Sequence, residues 1–248
     1  MSAKDTLVII PTYNEAGNLA PLIKELDSLQ SSFEVLIVDD HSPDGTARMI
    51  EEFGRTRPWL HLLQRPGKQG LGKAYLAGFV WALARDYEYV VEMDADLSHN
   101  PQDVPRLVEK CRSGYDLVIG SRYVEGVRII NWPIRRLIIS YCGSIYTRFW
   151  TSLPVTDPTS GFKCFRRPVL QAIDMGKVYS NGYVFQIEMD LYAWKLGFRL
   201  AELPIVFTER QLGKSKMSTR IVREAMWRIP YLAMQAHLGL LSRKSSSI

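Results

Sequence analysis

Cysteine is scarce in this chain, which has three cysteines among its 248 residues. They stand far apart, at Cys111, Cys142 and Cys164, and no CxxC pair occurs. Small secreted folds that depend on disulfides are rich in cysteine, and structural zinc sites draw on closely spaced cysteines or histidines. The sequence therefore argues against both, and it is typical of a protein from a reducing cytosol.

Long uncharged runs are absent as well. The longest stretch without Asp, Glu, Lys or Arg covers residues 229–242, which is 14 residues. As a helix it would reach about 21 Å, short of the ~30 Å hydrocarbon core of a membrane. The first residues, MSAKDTLVII, lead from polar residues straight into a strand-like run and lack a signal-peptide pattern. We therefore predict a chain without a membrane span or a secretion signal.

Several catalytic signatures are missing too. The sequence contains no GxxxxGK[ST] phosphate loop, no nucleophile elbow and no HExxH, and its four histidines are scattered. Serine hydrolases and zinc proteases are therefore poor fits. What remains is an ordinary globular composition, with 46% hydrophobic and 23% charged residues, which excludes disordered and low-complexity classes.

Positive charge is unevenly placed along the chain, whose formal net charge is +5. Residues 122–150 carry a net +4 and residues 210–248 a net +7, so the remainder is acidic at −6. Basic surfaces attract nucleic acids, anionic lipid headgroups or phosphorylated ligands. Charge alone does not choose among these ligands, nor does it exclude a merely solvated face.

The first half alternates apolar runs with amphipathic segments. The strand-like runs are 7–10, 35–38, 60–63, 89–93 and 117–119, and the amphipathic segments are 18–29, 46–55, 71–84 and 101–111. This alternation predicts an α/β fold with a parallel sheet covered on both faces. Ligands of such sheets bind beyond the carboxyl ends of the strands, so we expect the chemistry in the polar loops there.

The second half is less regular. The pattern predicts a helix over 133–150, a loop and short strand over 157–167, a helix over 183–196, a strand over 199–207, and an amphipathic segment over 218–241 interrupted at Pro230. We predict a catalytic domain over 1–217, an interfacial helix segment over 218–241 and a disordered tail over 242–248. The aromatic and basic helix over 133–150 could also lie in a membrane interface, although a core-facing helix is an equal alternative.

Asp94 and Asp96 follow the predicted strand that ends at Met93. Two carboxylates at i and i+2 on a loop can approach one hard cation, and Mg²⁺ and Mn²⁺ favour carboxylate and phosphate oxygens. A metal there could neutralise a nucleoside diphosphate as it departs. The alternative is that one aspartate caps a helix. Ser98 and His99 are near enough to contribute.

Asp40 ends the second strand-like run and could accept hydrogen bonds from a ribose or a base. The following SPDGT also suits an Asx turn and a helix cap made by Asp44 or Thr46, and both interpretations can hold together. Tyr13 could stack on a nucleobase, while Asn14 with Glu15 would cap the first helix.

The segment GKQGLGK, ending at Lys73, is rich in glycine and basic and precedes a helix, which suits a loop that faces phosphate. A flexible turn is the alternative. A second basic group comprises Arg122, Arg135, Arg136, Ser140, Arg210, Lys214 and Lys216. Arginine forks pair well with phosphate oxygens.

The order of the loops is more specific than any one of them. PTYNE, VDDHSPDGT, GLGKAY, MDADLSHNP, GSRY, DPTSGFKCFRR and GYVFQIEM follow one another through residues 5–217. This series resembles the polyprenyl- and dolichyl-phosphate mannosyltransferases of glycosyltransferase family 2. The resemblance implies a GT-A fold: a mostly parallel central sheet flanked by helices, followed by a C-terminal amphipathic helix. The NWPIRRLIIS and GKSK segments look most like the mannosyl members.

The resemblance also implies residue roles. The nucleotide-sugar GDP-mannose would be bound by Pro11, Tyr13, Glu15, Asp40, Lys73, Asp94, Gln186, Glu188 and Lys216. Mg²⁺ or Mn²⁺ would be bound by Asp94, Asp96 and Ser98. The acceptor phosphate would be bound by Arg122, Arg136 and Ser140. Asp96, Arg122 and Arg210 would be catalytic, and Arg210 and Lys216 would close over the phosphates from a mobile loop.

The activity implied is transfer of mannose from GDP-mannose to a polyprenyl or dolichyl monophosphate, with inversion. Many relatives have C-terminal transmembrane helices, which this sequence lacks, and the QxxRW motif of processive relatives is also absent. We therefore expect a peripheral protein on the cytoplasmic face of a membrane. A small membrane-anchoring subunit could hold it there, and we expect no nucleic-acid partner. The alternatives are a UDP-glucose or other UDP-sugar donor, a nucleic-acid-binding module, and a non-catalytic subunit that binds the nucleotide-sugar.

Overall fold

The structure is a computed structural model that describes residues 4–29, 32–209 and 219–238, with side chains in the last segment from residue 223 onward. The predictions for Arg210, Lys214, Lys216 and the tail over 242–248 lie outside the described residues.

Within the described ranges, nine strands form two sheets. In chain order they are β1 (Thr6–Thr12), β2 (Glu34–Asp39), β3 (Leu60–Gln64), β4 (Tyr89–Glu92), β5 (Leu117–Ser121), β6 (Ile129–Ile130), β7 (Lys163–Arg166), β8 (Leu200–Pro204) and β9 (Phe207–Thr208). Seven make the central sheet in the order β3-β2-β1-β4-β7-β5-β8, while β6 and β9 pair separately. Only β7 runs antiparallel to its neighbours in the central sheet.

The same described residues form eight α-helices, seven between the strands and one after the last strand. They are α1 (Ala16–Asp27), α2 (Thr46–Gly54), α3 (Leu71–Leu83), α4 (Val104–Arg112), α5 (Ile134–Thr151), α6 (Arg167–Ala172), α7 (Gly182–Lys195) and α8 (Thr219–His237). Two apolar cores cover the two faces of the sheet: α1, α2 and α4 pack on one, and α3, α6, α7 and α8 on the other. Because side chains alternate along a strand, Val8 faces the first core and Ile9 the second. The α/β fold with a mostly parallel sheet is confirmed.

The predicted break of the last helix at Pro230 is wrong, because α8 continues through it. Proline has no N–H, so it cannot donate to the carbonyl oxygen of Met226 one turn earlier. The hydroxyl of Tyr146 on α5 donates to that oxygen at 2.8 Å instead. The bond replaces the one that proline removes and joins the two helices.

The single predicted strand over 199–207 is two strands. β8 joins the central sheet and ends at Pro204, and β9 begins at Phe207 and pairs with β6. In the described part of the chain, no helix combines the length and the apolar character that a membrane crossing requires.

Candidate active site

The loops after β1, β2 and β4 meet at one edge of the sheet because these strands are parallel neighbours. The first two are tied together at the start of α1. Asp44 accepts from the backbone N–H of Ala16 at 3.0 Å, and the hydroxyl of Thr46 accepts from that of Glu15 at 3.1 Å. Glu15 occupies the N-cap position without a side-chain cap bond, so the cap predicted for Asn14 and Glu15 comes from the neighbouring loop.

Asp44 is the residue that organises this junction. One carboxylate oxygen accepts from both the backbone N–H and the hydroxyl of Thr46, at 3.0 and 2.6 Å. Burial disfavours the charged carboxylate, but the hydrogen bonds from Thr46 and Ala16 outweigh it and hold the pKa of Asp44 below its ordinary value. The Asx turn predicted at Asp44 is therefore present, whereas the predicted cap serves the start of α1, because α2 has Gly45 as its N-cap without a side-chain cap bond.

Asp40 is buried at the end of β2 and supports the next loop. Its two oxygens accept from Nη1 of Arg65 at 2.5 Å and from the backbone N–H of Gln69 at 3.2 Å. Arg65 also donates to the side chain of Gln69 at 2.9 Å. The ring of Tyr13 lies beside this loop, with the ammonium of Lys68 4.0 Å from its centroid. An aromatic face, a carboxylate and two cations thus lie together in the loops at this edge of the sheet.

Pro11 lies in β1, and Lys73 is exposed in the first turn of α3. Gly70 precedes that turn with φ of 99°, which favours glycine. A Cβ on Gly72 would lie 2.7 Å from the carbonyl oxygen of Ser180, so the start of α3 packs directly on the segment before α7. The backbone N–H groups of this helix start are thereby fixed in place.

The loop after β4 carries the predicted metal ligands. Asp94 is partly exposed and Asp96 is nearly buried. The backbone N–H of Ser98 donates to Asp96 at 3.1 Å, while the Ser98 hydroxyl is buried and has no partner among the described residues. Two carboxylates and a hydroxyl oxygen without a partner fit a hard divalent cation. Within the described ranges, no group of three or more His, Cys, Asp or Glu side chains is arranged so that it could hold a metal ion.

The buried side chain of His99 packs against this loop and bonds to its backbone. Its Nδ1 accepts from the backbone N–H of Asp94 at 3.2 Å, which assigns the ring proton to Nε2. The ring stacks on Phe162 at 4.9 Å and meets the edge of Phe207 at 5.4 Å. Burial lowers the pKa of His99 to about 4, so the ring is neutral at pH 7. His99 therefore shapes the carboxylate loop through packing and one hydrogen bond.

Three ionisable side chains, those of Lys163, Asp190 and Glu92, form a cluster that is fully buried. The ammonium of Lys163 donates to Asp190 at 2.6 Å and to the backbone carbonyl of Gln186 at 2.9 Å, and Glu92 is its cross-strand partner. Burial raises the pKa of Glu92 to about 8 and that of Asp190 to about 7. The side-chain amide of Gln186 has no partner within the described structure. Sequence analysis did not identify Lys163, Asp190 or Glu92 as candidates. The signal that could have found Glu92 and Lys163 is an ionisable residue within a buried, mainly apolar strand.

Glu188 lies in α7 two residues from both Gln186 and Asp190, and it is also buried. Its Oε2 accepts from the backbone N–H of Ser180 at 2.9 Å. That bond holds the segment on which Gly72 packs, and it connects α7 to the start of α3.

Arg122 follows β5 and forms a two-pronged ion pair with Asp157. Its Nε and Nη2 donate to the two carboxylate oxygens at 2.7 and 2.6 Å, and Nη2 also reaches the hydroxyl of Thr159 at 2.8 Å. Burial disfavours both charges, yet their attraction raises the pKa of Arg122 and lowers that of Asp157. These bonds leave Nη1 outside the pair and fix the guanidinium in one orientation.

Arg136 lies in the first turn of α5. Its Nη1 contacts both carboxylate oxygens of Glu209 at 2.5 Å, and its Nε is buried without a partner in the described structure. Ser140, one turn further, accepts from the hydroxyl of Tyr123 at 2.9 Å. Its own hydroxyl proton is therefore free to point elsewhere.

A groove of about 460 Å³ runs between α5, α7 and α8. Arg122, Arg136 and Ser140 all line it, which brings the predicted phosphate-binding residues together. Its other walls are mainly apolar, from Ile138, Ile139, Val184, Ile187, Met226 and Ile229. Such a groove suits a ligand with one anionic group and a hydrocarbon chain.

Comparison with known proteins identifies the family of this chain. Glycosyl transferase family 2 matches residues 7–174. Polyprenol monophosphomannose synthase from Mycolicibacterium smegmatis is 46% identical over 234 residues, which cover 94% of this chain and 88% of that protein. Undecaprenyl-phosphate mannosyltransferase from Micrococcus luteus is 46% identical over 241 residues, which cover 94% of this chain and 99% of that protein.

The fold has a counterpart among solved structures. Mannosyltransferase PcManGT from Pyrobaculum calidifontis, in complex with GDP-Man and Mn²⁺, superposes with a TM-score of 0.58 at 18% identity, covering 96% of this chain and 71% of that one. At this identity the likeness shows the fold alone, and it agrees with the predicted GT-A architecture. With the family match over most of its length and two relatives at 46% identity, the chain belongs to glycosyltransferase family 2.

Proposed function

We propose that this protein transfers mannose from GDP-mannose to the phosphate of a polyprenyl monophosphate of the dolichyl type, with inversion. The observation that carries the proposal is the apolar groove that Arg122 and Arg136 line. A lipid phosphate matches both features of this groove, because its anion can face the arginines while its hydrocarbon chain contacts the apolar walls. The names of both 46% identical relatives describe mannose and a polyprenyl carrier.

The donor half of the proposal concerns the loops at the carboxyl ends of β1, β2 and β4. We assign the nucleoside to Pro11, Tyr13, Glu15 and Asp40, the diphosphate and sugar to Lys73, Asp94, Gln186 and Glu188, and loop closure to Arg210 and Lys216, which lie outside the described residues. PcManGT, which shares the fold, was solved with GDP-Man. The aromatic face of Tyr13 beside Asp40 supports a nucleoside at this edge.

A divalent cation, Mg²⁺ or Mn²⁺, would be held by Asp94, Asp96 and the hydroxyl of Ser98. When bound, it neutralises negative charge on the diphosphate leaving group. The partnerless hydroxyl of Ser98 beside Asp96 supports this assignment. Asp96 would thereby act in catalysis through the cation that it holds, since that cation would neutralise the charge of the diphosphate.

The reaction forms a bond between an acceptor phosphate oxygen and the anomeric carbon, and it breaks the bond from that carbon to the diphosphate, which leaves with the electron pair as GDP. The second pKa of a phosphate monoester is ~6, so the nucleophile is already ionised at pH 7 and no general base is needed. Arg122, Arg136 and Ser140 hold it, and an α-linked donor yields a β-linked product. The protein contributes positioning and charge stabilisation.

We further propose that α5 and α8 lie against the cytoplasmic face of a membrane, where the acceptor resides, with a small membrane subunit as a possible anchor. Both helices expose large apolar side chains: Phe149 is 78% exposed and Trp227 is 80% exposed. Aromatic side chains suit the headgroup level, and neighbouring arginines such as Arg148 and Arg223 suit anionic lipid. The domain division at residues 217 and 218 follows from this role of α8.

The test is sugar transfer by the purified protein to a short-chain polyprenyl phosphate, with GDP-mannose or UDP-glucose as donor, and with Mg²⁺, Mn²⁺ or EDTA. We expect transfer from GDP-mannose that EDTA abolishes. Transfer from UDP-glucose alone would keep the acceptor and overturn the donor. Absence of transfer from both donors, also with membranes added, would contradict the function; binding of GDP-mannose without turnover would indicate a non-catalytic subunit.

A further inference from the structure

Trp132 lies beside both arginines that we assign to the acceptor phosphate. The Cζ of Arg136 is 4.0 Å from the centroid of its ring, and the Cζ of Arg122 is 5.6 Å away. The negative faces of aromatic rings attract guanidinium groups, most strongly for tryptophan. The edge of Phe207 packs on the same ring at 5.3 Å. Trp132 therefore holds two like charges in one wall of the groove.

The indole N–H of Trp132 has no acceptor among the described residues, although it is buried. The Nε of Arg136 is likewise buried and has no acceptor among the described residues. An indole N–H is a donor only, and a buried donor without an acceptor costs stability. Both residues line the groove. An anion in this groove would satisfy both of these buried donors and would also face the guanidinium of Arg122.

We propose that the indole N–H of Trp132 donates a hydrogen bond to the phosphate of the acceptor, beside Nε of Arg136, and that its ring positions both guanidiniums for that phosphate. This inference rests on the proposed function, because it takes the groove as the acceptor site. It adds a binding residue that lies ahead of α5 in the chain. Hydrogen bonds to charged groups are the stronger class, so the contribution to affinity is measurable.

Trp59 provides a matched control. Its indole N–H is likewise buried without a partner among the described residues. It immediately precedes β3, so it lies at the opposite edge of the sheet from the site. Trp59→Phe therefore removes the same kind of N–H from a place where no ligand is proposed.

The experiment titrates wild type, Trp132→Phe and Trp59→Phe with a short-chain polyprenyl phosphate and with the matching polyprenol. We expect Trp132→Phe to bind the phosphate about tenfold more weakly, with unchanged affinity for the alcohol. Its Tm should not fall, because phenylalanine keeps a ring and removes a buried donor without a partner. In turnover, its KM for the acceptor should rise while its KM for GDP-mannose stays constant. Trp59→Phe should match the wild type.

Equal phosphate affinity of Trp132→Phe and wild type would overturn the inference and leave the proposed function intact. Equal losses for the phosphate and the alcohol would also overturn it, because the ring would then serve only to shape the groove. A wild type that binds both lipids equally would instead refute the acceptor assignment itself.

Discussion

Glu209 places both carboxylate oxygens 2.5 Å from Nη1 of Arg136, so a protein anion already occupies one side of the guanidinium that we assign to the acceptor phosphate. The pair is partly buried, with 12% of the Arg136 side chain and 24% of that of Glu209 exposed. The backbone N–H of Glu209 donates to the carbonyl of Ile130 in the small sheet. A phosphate that enters the groove therefore meets a cation that is already paired.

Removing the negative charge of Glu209 should strengthen the binding of the acceptor phosphate to Arg136. Glu209→Gln keeps the shape of the side chain but leaves Arg136 with an uncompensated charge, so we expect the KM for polyprenyl phosphate to fall by about two- to fivefold, on the scale of a surface ion pair. The control is Glu125→Gln, which removes the same charge from an exposed pair with Arg128 in the same basic region. A higher KM in Glu209→Gln would show that Glu209 positions Arg136 and does not compete with the acceptor.

Asp96→Asn tests the metal assignment without disturbing the loop. The amide oxygen of asparagine can still accept from the backbone N–H of Ser98, as the carboxylate does at 3.1 Å. The charge, however, is lost, and we expect turnover to fall by about 100-fold or more because charge stabilisation at the leaving group weakens. Mn²⁺ binding in the presence of GDP should weaken in parallel. Near-normal turnover in the folded variant would refute the assignment.

The strands and helices of the first half were predictable because each repeats a short apolar period. The run 35–38 lies within β2, and the segment 46–55 matches α2 to within one residue. The direction of β7 was not predictable. Its four residues, Lys163–Arg166, pair with strands on both sides, and a short buried run has the same pattern in either orientation.

Some site residues could likewise be predicted from the sequence, whereas their partners could not. Asp94 and Asp96 stand at i and i+2 on one loop, and this spacing was enough to suggest a cation site from the sequence. The partners Asp157 and Glu209 did not follow from spacing, because they lie 35 and 73 residues from the arginines they bind. Only the packing of β5, α5 and the small sheet brings these groups together. A local sequence pattern can identify an arginine as a candidate phosphate-binding residue. It does not show which carboxylate of the protein the tertiary structure places against that arginine.

The ion pair between Arg122 and Asp157 should be among the most sensitive points in the fold. Removing one partner of a buried pair leaves an uncompensated charge, so we expect Asp157→Asn to lower the free energy of unfolding by about 3–5 kcal/mol. Urea denaturation measures the change. The control is Glu52→Gln, whose pair with Arg48 is largely exposed and should contribute less than about 1 kcal/mol. Similar losses in the two variants would contradict this account of the buried pair.

Asp190 should make stability depend on pH. Burial raises its pKa to about 7, so the folded state retains a proton that the unfolded chain releases near pH 4. The contribution of Asp190 to the free energy of unfolding is therefore full below pH 4, falls as pH rises to 7 and is constant above. It amounts to roughly 4 kcal/mol. Asp190→Asn should abolish it.

Urea denaturation of wild type and Asp190→Asn at pH 5 and pH 8 checks this sign. The wild type should lose stability relative to the variant between the two values. A relative gain would mean that the ammonium of Lys163, 2.6 Å away, keeps Asp190 ionised despite its burial.

The bond from Tyr146 to the carbonyl of Met226 should account for the tolerance of Pro230 within α8. Tyr146→Phe leaves that carbonyl without the donor that replaces the missing helical N–H, so we expect a loss of about 1 kcal/mol in the free energy of unfolding. In a Pro230→Ala background the new backbone N–H can donate to Met226 itself. Tyr146→Phe should then cost much less, and a double-mutant cycle measures the difference. Equal losses in both backgrounds would show that the hydroxyl stabilises the contact between α5 and α8 independently of the proline.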